Sequence, residues 1–325
     1  MSTKYTLITG ATGFIGSHVA EKLLRDGSSP AIAIVRGGRG YRNTAELEKR
    51  GVVLVRGSFY DKDFIDRVFR EFPIQNVIHI AALTGEGAGT KRDYHDVNVH
   101  GTEVLLSAAR RHRVEKFIFC SSVGVFGTIP AEVPADLRTG LNGDNIYHRS
   151  KLAAEERVYD FIDRGLNAFI IRPTITYGKR DGGFPSTLAR MVRKRILLLP
   201  LRDNRIHLLS VSSLAEMFLR ILKSDGLHKR VFIAGDEGPV LFRELVDLIY
   251  YFYFGKDYPS FLKMPNVVFD VFSMVFQTVN NNKWRGRVQL LSQDWYYEPT
   301  ETNSLIGFQP ANTKKEFLRY LESLK

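Results

Sequence analysis

The stretch Thr9-Gly10-Ala11-Thr12-Gly13-Phe14-Ile15-Gly16 lies between an apolar run, residues 5–8, and a helical pattern. A glycine-rich turn between a strand and a helix is the context in which a dinucleotide binds. Gly10 permits the tight turn, Gly13 lets a pyrophosphate approach the backbone, and Gly16 lets the helix pack closely on the strand. The spacing therefore predicts a helix N-terminus that faces the phosphates of a dinucleotide.

The composition is that of an ordinary globular protein: of 325 residues, 44% are hydrophobic and 25% are charged. A chain of this length can form a full core and two unequal lobes around a cleft. Its single cysteine excludes a disulfide framework and is typical of a reducing compartment. The first residues run directly into the predicted strand, which argues against a signal peptide, and no apolar run reaches transmembrane length. We expect a cytoplasmic protein.

The formal net charge is +11 and the isoelectric point is near 9.6, which raises nucleic acid or an acidic membrane surface as partners. The basic clusters lie far apart in the chain, however, at 110–113, 190–195 and 314–315. No nucleic-acid-binding motif accompanies them. We expect solvated helix faces and no nucleic-acid partner, with anionic ligands or lipid headgroups as the alternative explanation of the charge.

Strand and helix patterns alternate up to about residue 173, and two more apolar runs follow near 208–211 and 231–234. This alternation predicts an α/β fold with a doubly wound parallel sheet. We expect residues 1–176 plus 208–235 to form a dinucleotide-binding domain. Residues 177–207 plus 236–325 lack the alternation and are rich in helical patterns and aromatic residues. We expect them to form a smaller, mainly helical substrate lobe over the open ends of the strands.

Arg36 directly follows the second predicted strand, residues 31–35. In dinucleotide folds the residue at this position faces the adenine ribose, where an acid selects the free 2′-hydroxyl and an arginine accepts a 2′-phosphate. Arg39 and Arg42 follow in the same glycine-rich loop. We therefore predict NADP(H) as the favoured cofactor and NAD(H) as the alternative.

Three further segments fall where a dinucleotide needs them. Ser58 and Phe59 end the third predicted strand, at the expected position of the adenine. Ala81 and Ala82 end the fourth, and their small side chains leave room for a pyrophosphate and a ribose. Asn98 opens the next helical pattern, and we interpret it as an N-cap or as a brace between neighbouring strands.

Tyr147 and Lys151 are four residues apart in a helical pattern, so they share one helix face, and Ser122 ends the preceding strand. The pKa of a tyrosine is ordinarily near 10. It must be lowered to about 7, which corresponds to roughly 4 kcal/mol, before the side chain works as a base near neutrality. The Lys151 ammonium supplies part of it, and a Ser122 hydroxyl donating to the same oxygen aligns it. Cys120 lies in an apolar run and is predicted to be core rather than a nucleophile, and we predict no metal site.

Together these motifs resemble those of the extended short-chain dehydrogenase/reductases, the NAD(P)-dependent epimerase/dehydratase group, over nearly the whole chain. The matching segments are Gly10-x-x-Gly13-x-x-Gly16, His79-x-Ala81-Ala82, Asn98 with Gly101-Thr102, Ser121-Ser122, Tyr147-x-x-x-Lys151 and Arg172-Pro173.

The resemblance implies a Rossmann-type domain, a nicotinamide cofactor, and Ser122, Tyr147 and Lys151 as the catalytic trio. It also places Tyr147 and Lys151, together with Pro173 and Ile175, at the cofactor. Members of the family often form homodimers through the helices that follow Asn98 and Tyr147, so the resemblance implies a homodimer here.

The chain departs from the family where the substrate is expected. The 4,6-dehydratases of the family carry Asp-Glu directly after the catalytic serine or threonine, whereas this chain has Val123 and Gly124, which disfavours dehydration. Many nucleotide-sugar members of the family carry an arginine before a His-Val-x-Asp segment and an Arg-Pro-Gly-Asp segment near the C-terminus, and both serve the pyrophosphate of the substrate. Here Arg205, before His207, is one position away from the place of the first arginine, and the second segment is absent. The candidate substrate residues are Thr84, Val123, Gly124, Arg180, Arg205 and Arg287.

Three functions stay open. The first is redox at C4 of a nucleotide-linked sugar, by an epimerase or a 4-ketoreductase. The second is a reductase for an apolar ring substrate, because residues 264–310 are similar to relatives of the 3β-hydroxysteroid dehydrogenases and dihydroflavonol reductases. A positive pocket from Arg180, Arg205 and Arg287 would favour the first, and an aromatic pocket the second. The third is an inactive cofactor-binding regulator, against which the intact catalytic trio argues.

Two runs, residues 250–254 and 267–279, hold more large apolar side chains than a small substrate lobe needs. Charged residues at 256, 257, 263 and 270 interrupt them, so they cannot span a bilayer. We expect them to form the core of the lobe. The alternative is that they lie along a membrane surface.

Overall fold

The computed structural model describes residues 3–27, 29–36, 44–85, 88–228, 230–279 and 281–325, without the side chains of residues 260, 282 and 283. Arg39 and Arg42 lie outside these ranges, so their predicted role at a 2′-phosphate concerns residues that the structure does not describe.

Short apolar runs form the strands, and most of their residues in the large sheet are buried. In chain order the strands are β1 (Tyr5–Thr9), β2 (Ala31–Val35), β3 (Val53–Arg56), β4 (Ile74–His79), β5 (Lys116–Cys120), β6 (Ala168–Pro173), β7 (Ile175–Tyr177), β8 (Leu199–Pro200), β9 (Arg205–Ile206), β10 (Leu208–Ser210), β11 (Val231–Ala234), β12 (Val240–Leu241) and β13 (Lys263–Met264).

Seven of these strands form one parallel sheet in the order β11-β6-β5-β4-β1-β2-β3. Strands β2 and β3 follow β1 on one side, and the chain then crosses back to place β4 on the other side of β1. Ligands of such sheets bind at this reversal, outside the carboxyl ends of the strands. The predicted Rossmann-type doubly wound sheet is confirmed, and its reversal lies beside the glycine loop.

Helices cover both faces of the sheet and predominate after residue 240. They are α1 (Phe14–Asp26), α2 (Thr44–Lys49), α3 (Lys62–Glu71), α4 (Lys91–Tyr94), α5 (Gly101–Arg111), α6 (Ile146–Asp163), α7 (Phe184–Arg193), α8 (Val211–Lys223), α9 (Phe242–Phe254), α10 (Asn266–Thr278), α11 (Asn282–Ser292), α12 (Thr300–Leu305) and α13 (Thr313–Glu322).

Three apolar clusters hold the described residues together. One lies on the sheet face covered by α1 and α8, and a second lies on the face covered by α3, α5 and α6. The third joins α7, α9 and α13 around Trp295. Ile306 and Phe308 belong to the first cluster, so the chain returns from the lobe to the sheet before α13. We propose that the chain divides into the two predicted lobes, except that residues 306–308 pack on the sheet.

A buried carboxylate fastens α13 to the sheet. Asp236, just after β11, accepts hydrogen bonds from the Tyr177 hydroxyl at 2.8 Å, the Thr313 hydroxyl at 3.1 Å and the Ser210 amide at 3.0 Å. Burial raises its pKa to about 7, although these three hydrogen bonds act to lower it. Strands β7, β10 and β11 and helix α13 therefore meet at one polar group inside the protein.

Two expectations about elements are wrong. Asn98 is not an N-cap, because it lies in a π-helical stretch, residues 95–100, that joins α4 to α5. Helix α10 is not lobe core: Phe269 is its one buried residue, and most of its other apolar side chains are exposed. The run 250–254 is divided, since Tyr250 is buried and Tyr251 is 63% exposed.

Candidate active site

The glycine loop closes against its own backbone and against the end of β4. Gly10 has a φ of +76°, and a Cβ there would lie 2.8 Å from the amide nitrogen of Ala81. A Cβ at Gly16 would lie 2.1 Å from the carbonyl oxygen of Gly10. Positive φ and these approaches both require glycine. Gly13 precedes α1 without a side chain to cap it, and the first turn of α1 carries no acidic residue.

A hydrogen-bond network centred on Thr9 fixes the backbone after β4, opposite the glycine loop. The Thr9 hydroxyl accepts hydrogen bonds from the amides of Ile80 and Ala81, each at 3.2 Å, and lies 2.6 Å from His79 Nδ1. His79 Nε2 lies 3.0 Å from the Thr102 hydroxyl on α5. Burial holds the pKa of His79 well below its usual range, so the ring is neutral and structural.

The resulting space, here called the glycine-loop cleft, has a volume of about 350 Å³. It is lined by Gly10, Thr12, Gly13, Phe14, Ile15, Gly16, Ile34, Val35, Arg36, Gly57, Phe59, Tyr60, Ile80, Ala81, Ala82, Leu83, Thr84 and Val97. Ser58 adjoins it with a buried hydroxyl that has no hydrogen-bond partner among the described residues. These features fit a dinucleotide. The glycines leave space that a Cβ would fill, the N-terminus of α1 carries no carboxylate, and the Ser58 hydroxyl is free to bind a ligand.

The structure places the predicted cofactor residues on the glycine-loop cleft in two ways. The glycine-loop residues, Arg36, Phe59, Ala81 and Ala82 line the cleft. Asn98 lies behind it, since its amide oxygen accepts from the Leu83 amide at 2.7 Å and its nitrogen donates to the Leu83 carbonyl at 3.0 Å and the Ser150 hydroxyl at 2.8 Å. Asn98 thus braces the cleft wall against α6. Thr84, predicted at the substrate, lines this cleft instead.

Helix α6 and the end of β5 bring the catalytic candidates together. The Ser122 side chain lies beside the Tyr147 hydroxyl, where it acts to lower the pKa of the tyrosine. One turn further along α6, Lys151 Nζ donates to the Cys120 carbonyl oxygen at 2.7 Å and lies 4.6 Å from the centre of the Phe119 ring. The three side chains therefore lie at the carboxyl end of β5.

Burial dominates the protonation of this group. It raises the pKa of Tyr147, and the influence of Ser122 only partly offsets it. It lowers the pKa of Lys151 to about 8, against the opposing influence of Cys120 and Glu155. The expected depression of the Tyr147 pKa is thus not produced by the protein groups alone. At neutral pH Tyr147 is a phenol that can donate a proton.

Cys120 is core, as its position in an apolar run predicts. It is 4% exposed, and burial raises the pKa of its thiol to about 11. Among the described residues no group of three or more His, Cys, Asp or Glu side chains is arranged to hold a metal ion.

A buried ion pair fastens α6 to strand β6. Arg172 on β6 donates to Glu155 from Nε at 3.0 Å and from Nη2 at 2.6 Å. The Arg172 guanidinium also lies 5.1 Å from the centre of the Phe126 ring. Because Glu155 is four residues after Lys151, the pair fixes the helix turn that carries the lysine.

A second space, here called the Ser122 cleft, has a volume of about 460 Å³. It is lined by Gly85, Ser122, Val123, Gly124, Gly127, Thr128, Asn145, His148, Pro173, Thr174, Ile175, Gly286, Arg287, Leu290, Trp295 and Tyr297. Val123, Gly124 and Arg287 were predicted at the substrate and lie here. Pro173 and Ile175, predicted at the cofactor, also line this cleft.

Two predicted substrate arginines lie elsewhere. Arg180 donates to the Ser17 hydroxyl at 2.8 Å and pairs with Glu21 at 2.5 Å, both on α1. Arg205 lines a separate surface cavity beside β12 and α13. Their side chains do not join Arg287, because Arg180 pairs with the sheet domain and Arg205 lies at the edge of the lobe. The expected cluster of three arginines is therefore not formed.

His148 is a cleft residue that the sequence analysis overlooked. Its Nδ1 lies 2.5 Å from Asp144 Oδ1, and Asp144 Oδ2 accepts from the Thr128 amide at 2.8 Å. Although burial acts to raise the Asp144 pKa, these hydrogen bonds lower it to about 2. A Cβ at Gly124 would lie 2.4 Å from the His148 ring. The available signal was Asp144 next to the Asn145 N-cap of α6, because an acidic residue just before a helix lies near the side chains of its first turn.

Sequence comparison relates about half of the chain, and up to 60% of it, to known enzymes. The UDP-glucose 4-epimerase of Bos taurus is 33% identical over 180 residues, which are 51% of this chain and 51% of that protein. The chain thus spans about half the length of the curated relatives it matches.

Solved structures share the fold. UDP-glucose 4-epimerase from Thermotoga maritima, crystallised with UDP-glucose, has a TM-score of 0.78 at 19% identity and covers 98% of each chain. The dTDP-glucose 4,6-dehydratase of Bacillus anthracis, crystallised with NAD, has a TM-score of 0.75 at 17% identity over 99% of this chain and 96% of that one. The family model described as NAD dependent epimerase/dehydratase family matches residues 6–235, well over half of the sequence. This chain belongs to the NAD-dependent epimerase/dehydratase family.

Proposed function

We propose that the protein interconverts a hydroxyl and a ketone at C4 of a nucleotide-linked sugar, as a 4-epimerase or a 4-ketoreductase. The observation that carries this proposal is the meeting of three side chains at the carboxyl end of β5: Ser122 in the wall of the Ser122 cleft and beside the Tyr147 hydroxyl, and Lys151 one turn away on α6. Such a group can hold and move one proton on the oxygen of a bound carbinol or ketone.

The division of labour follows from the geometry. Tyr147 exchanges the proton, and Ser122 donates to the same substrate oxygen and orients it. The Lys151 ammonium stabilises negative charge on Tyr147 when the phenol gives up its proton. The residues of the glycine-loop cleft would hold the cofactor, with Gly10, Gly13 and Gly16 at its phosphates. When bound, a nicotinamide dinucleotide supplies hydride transfer. We propose NADP(H) on the basis of Arg36, with NAD(H) as the alternative that the family name supports.

Two features support an enzyme that does not dehydrate its substrate. Val123 and Gly124 replace the acid and base that removal of water needs. The His148 ring also occupies the space of any side chain at position 124. Likeness to a dehydratase at 17% identity concerns the fold and not these two positions.

A second candidate function draws support from the lining of the Ser122 cleft. Arg180 and Arg205 lie elsewhere, whereas Trp295, Tyr297 and Leu290 line it. An aromatic lining favours an apolar ring substrate of the hydroxysteroid or dihydroflavonol kind.

One set of assays separates the candidates. The purified protein is incubated with NAD(H) or NADP(H) and with UDP-glucose, UDP-galactose, a steroid or a dihydroflavonol. An epimerase forms the C4 epimer, detected by NMR, with no net change in cofactor absorbance, whereas a reductase consumes reduced cofactor. Turnover of the ring compounds alone would replace the first candidate by the second. No turnover of any substrate, with cofactor bound, would favour the regulator.

A further inference from the structure

Helix α10 turns its more apolar side away from the protein. Phe269 is buried, whereas Val267, Val271, Met274 and Val275 are between 48% and 65% exposed. A helix that packs on a core normally shows the opposite arrangement. An exposed apolar face of this kind marks an interaction site.

The apolar face continues onto the neighbouring elements. Strand β13 leads directly into α10 and pairs with β8, whose flanking residues Ile196, Leu198 and Leu201 are exposed. Phe261, before β13, is 83% exposed. On α11, Trp284 is about half exposed and stacks on Phe276 of α10, with ring centres 6.2 Å apart. We call this surface, from β8 and β13 through α10 to Trp284, the α10 surface.

Positive charge is concentrated in the same segments. Residues 190–202 and 255–287 contain ten Lys and Arg and two Asp and Glu, and so contribute eight of the eleven net positive charges of the chain. Arg193 and Arg195 lie over aromatic rings, at 5.3 Å from the centre of Tyr253 and 4.7 Å from that of Phe254. The pairing of β8 with β13 thus brings these two basic segments, which lie far apart in the sequence, next to each other.

This combination identifies the partner. A second copy of the chain would bring the same positive patch against itself, because a two-fold interface repeats one surface on both subunits. An anionic bilayer complements the charge and also accepts the apolar side chains. We propose that the α10 surface docks on a membrane that contains anionic lipids, with α10 lying in the plane of the interface.

The geometry of α10 fits this orientation. Its 13 residues span about 20 Å, short of the roughly 30 Å of a bilayer core. Among the helices of the described residues, none is long and apolar enough to cross a membrane. Within α11, Trp284 belongs to the α10 surface, and Arg287 lines the Ser122 cleft. When the protein docks, Arg287 in the wall of the Ser122 cleft would therefore lie within one helical turn of Trp284 on the lipid-facing side.

Vesicle sedimentation of the whole protein tests the proposal. We expect the protein to pellet with phosphatidylcholine vesicles that contain about one third phosphatidylglycerol, and to be released as added salt screens the charges. The double variant Val271→Asp/Met274→Asp should lose binding. Lys194→Glu/Lys256→Glu should weaken it at least about tenfold, since each cation near the surface contributes about 1 kcal/mol.

The control is Leu141→Asp/Leu305→Asp, which changes two leucines about half exposed outside the α10 surface and should pellet as the original protein does. Circular dichroism verifies that each variant is folded. Three results would overturn the proposal: protein that stays in the supernatant at low salt, undiminished pelleting of the α10 variant, or a dimer that dissociates on the α10 substitutions. Vesicle binding is measured without substrate, so its outcome is separate from that of the proposed reaction.

Discussion

At the scale of single residues, the hydroxyl of Tyr147 is the group whose removal is most informative. We expect Tyr147→Phe to lower turnover by about two to four orders of magnitude, because the ring still packs but cannot exchange a proton. Cofactor affinity should change by no more than a few-fold, since the hydroxyl is not needed to hold the dinucleotide. Steady-state assays and cofactor fluorescence titrations measure the two effects. A variant that retains turnover within a few-fold would exclude Tyr147 as the proton-exchanging group.

Gly124 is a second informative position, because its missing side chain makes room for His148. A Cβ there would lie 2.4 Å from the imidazole, so we expect Gly124→Ala to cost about 1–3 kcal/mol and to reduce kcat/KM. Gly140→Ala is the matched control, because a Cβ at Gly140 meets nothing within 4 Å. Thermal denaturation and kinetics compare the two. Equal melting temperatures for both variants would show that His148 moves aside freely.

Arg36 determines the choice of cofactor in our proposal. It lines the glycine-loop cleft directly after β2. A charge-assisted contact with a 2′-phosphate contributes roughly 1.5–3 kcal/mol, and less in a wet site. We therefore expect wild type to bind NADPH more tightly than NADH, and Arg36→Ala to lose this difference. If titration gives equal affinities for wild type and no change on substitution, Arg36 does not contact the phosphate.

At the scale of elements, the contact of β11 with α13 through Asp236 makes stability depend on pH. Burial raises the folded pKa of this carboxyl from 3.8 to about 7. Its contribution is therefore complete below pH 3.8 and is lost as the pH rises through 7. We expect the stability of Asp236→Asn to change less than that of wild type between pH 5 and 8, by about 3 kcal/mol, because about two pH units of the shift fall in this range. Denaturant unfolding at both pH values measures it.

The control for this experiment is Asp270→Asn, on the exposed side of α10, whose unfolding should follow wild type across the same range. An identical pH dependence for Asp236→Asn and wild type would mean that Asp236 is charged throughout the range.

At the scale of the whole molecule, we expect a homodimer through α5 and α6, as the family resemblance implies. Tyr159 on α6 is 37% exposed and is available for such a contact. Sedimentation velocity should show a dimer that Tyr159→Glu shifts towards monomer. Tyr251→Glu, an equally drastic change at a 63% exposed tyrosine of α9, should leave the dimer intact. A monomer for wild type at micromolar concentration would contradict the prediction.

Local chemistry explains which features could be predicted from the sequence. The turn at Gly10 and the alternation of strands and helices depend on neighbours in the chain, and both were predicted. Arg180 and Arg205 were misplaced because their distances from Ser122 depend on how the lobe packs. The exposure of α10 was missed for a related reason: periodicity shows that a helix has an apolar face but not whether anything covers it.

The Tyr177 hydroxyl, which donates to Asp236, also lies 3.3 Å from the Thr313 carbonyl oxygen, 136 positions further along the chain. Helix α13 also places Phe317 and Leu321, both fully buried, in the core around Tyr177. On a ribosome that adds about 5–20 residues per second, Tyr177 emerges on the order of ten seconds before its partner is made. During that interval the nascent second lobe exposes apolar surface that α13 later covers. Synthesis of α13 is thus the step that completes the core around Tyr177.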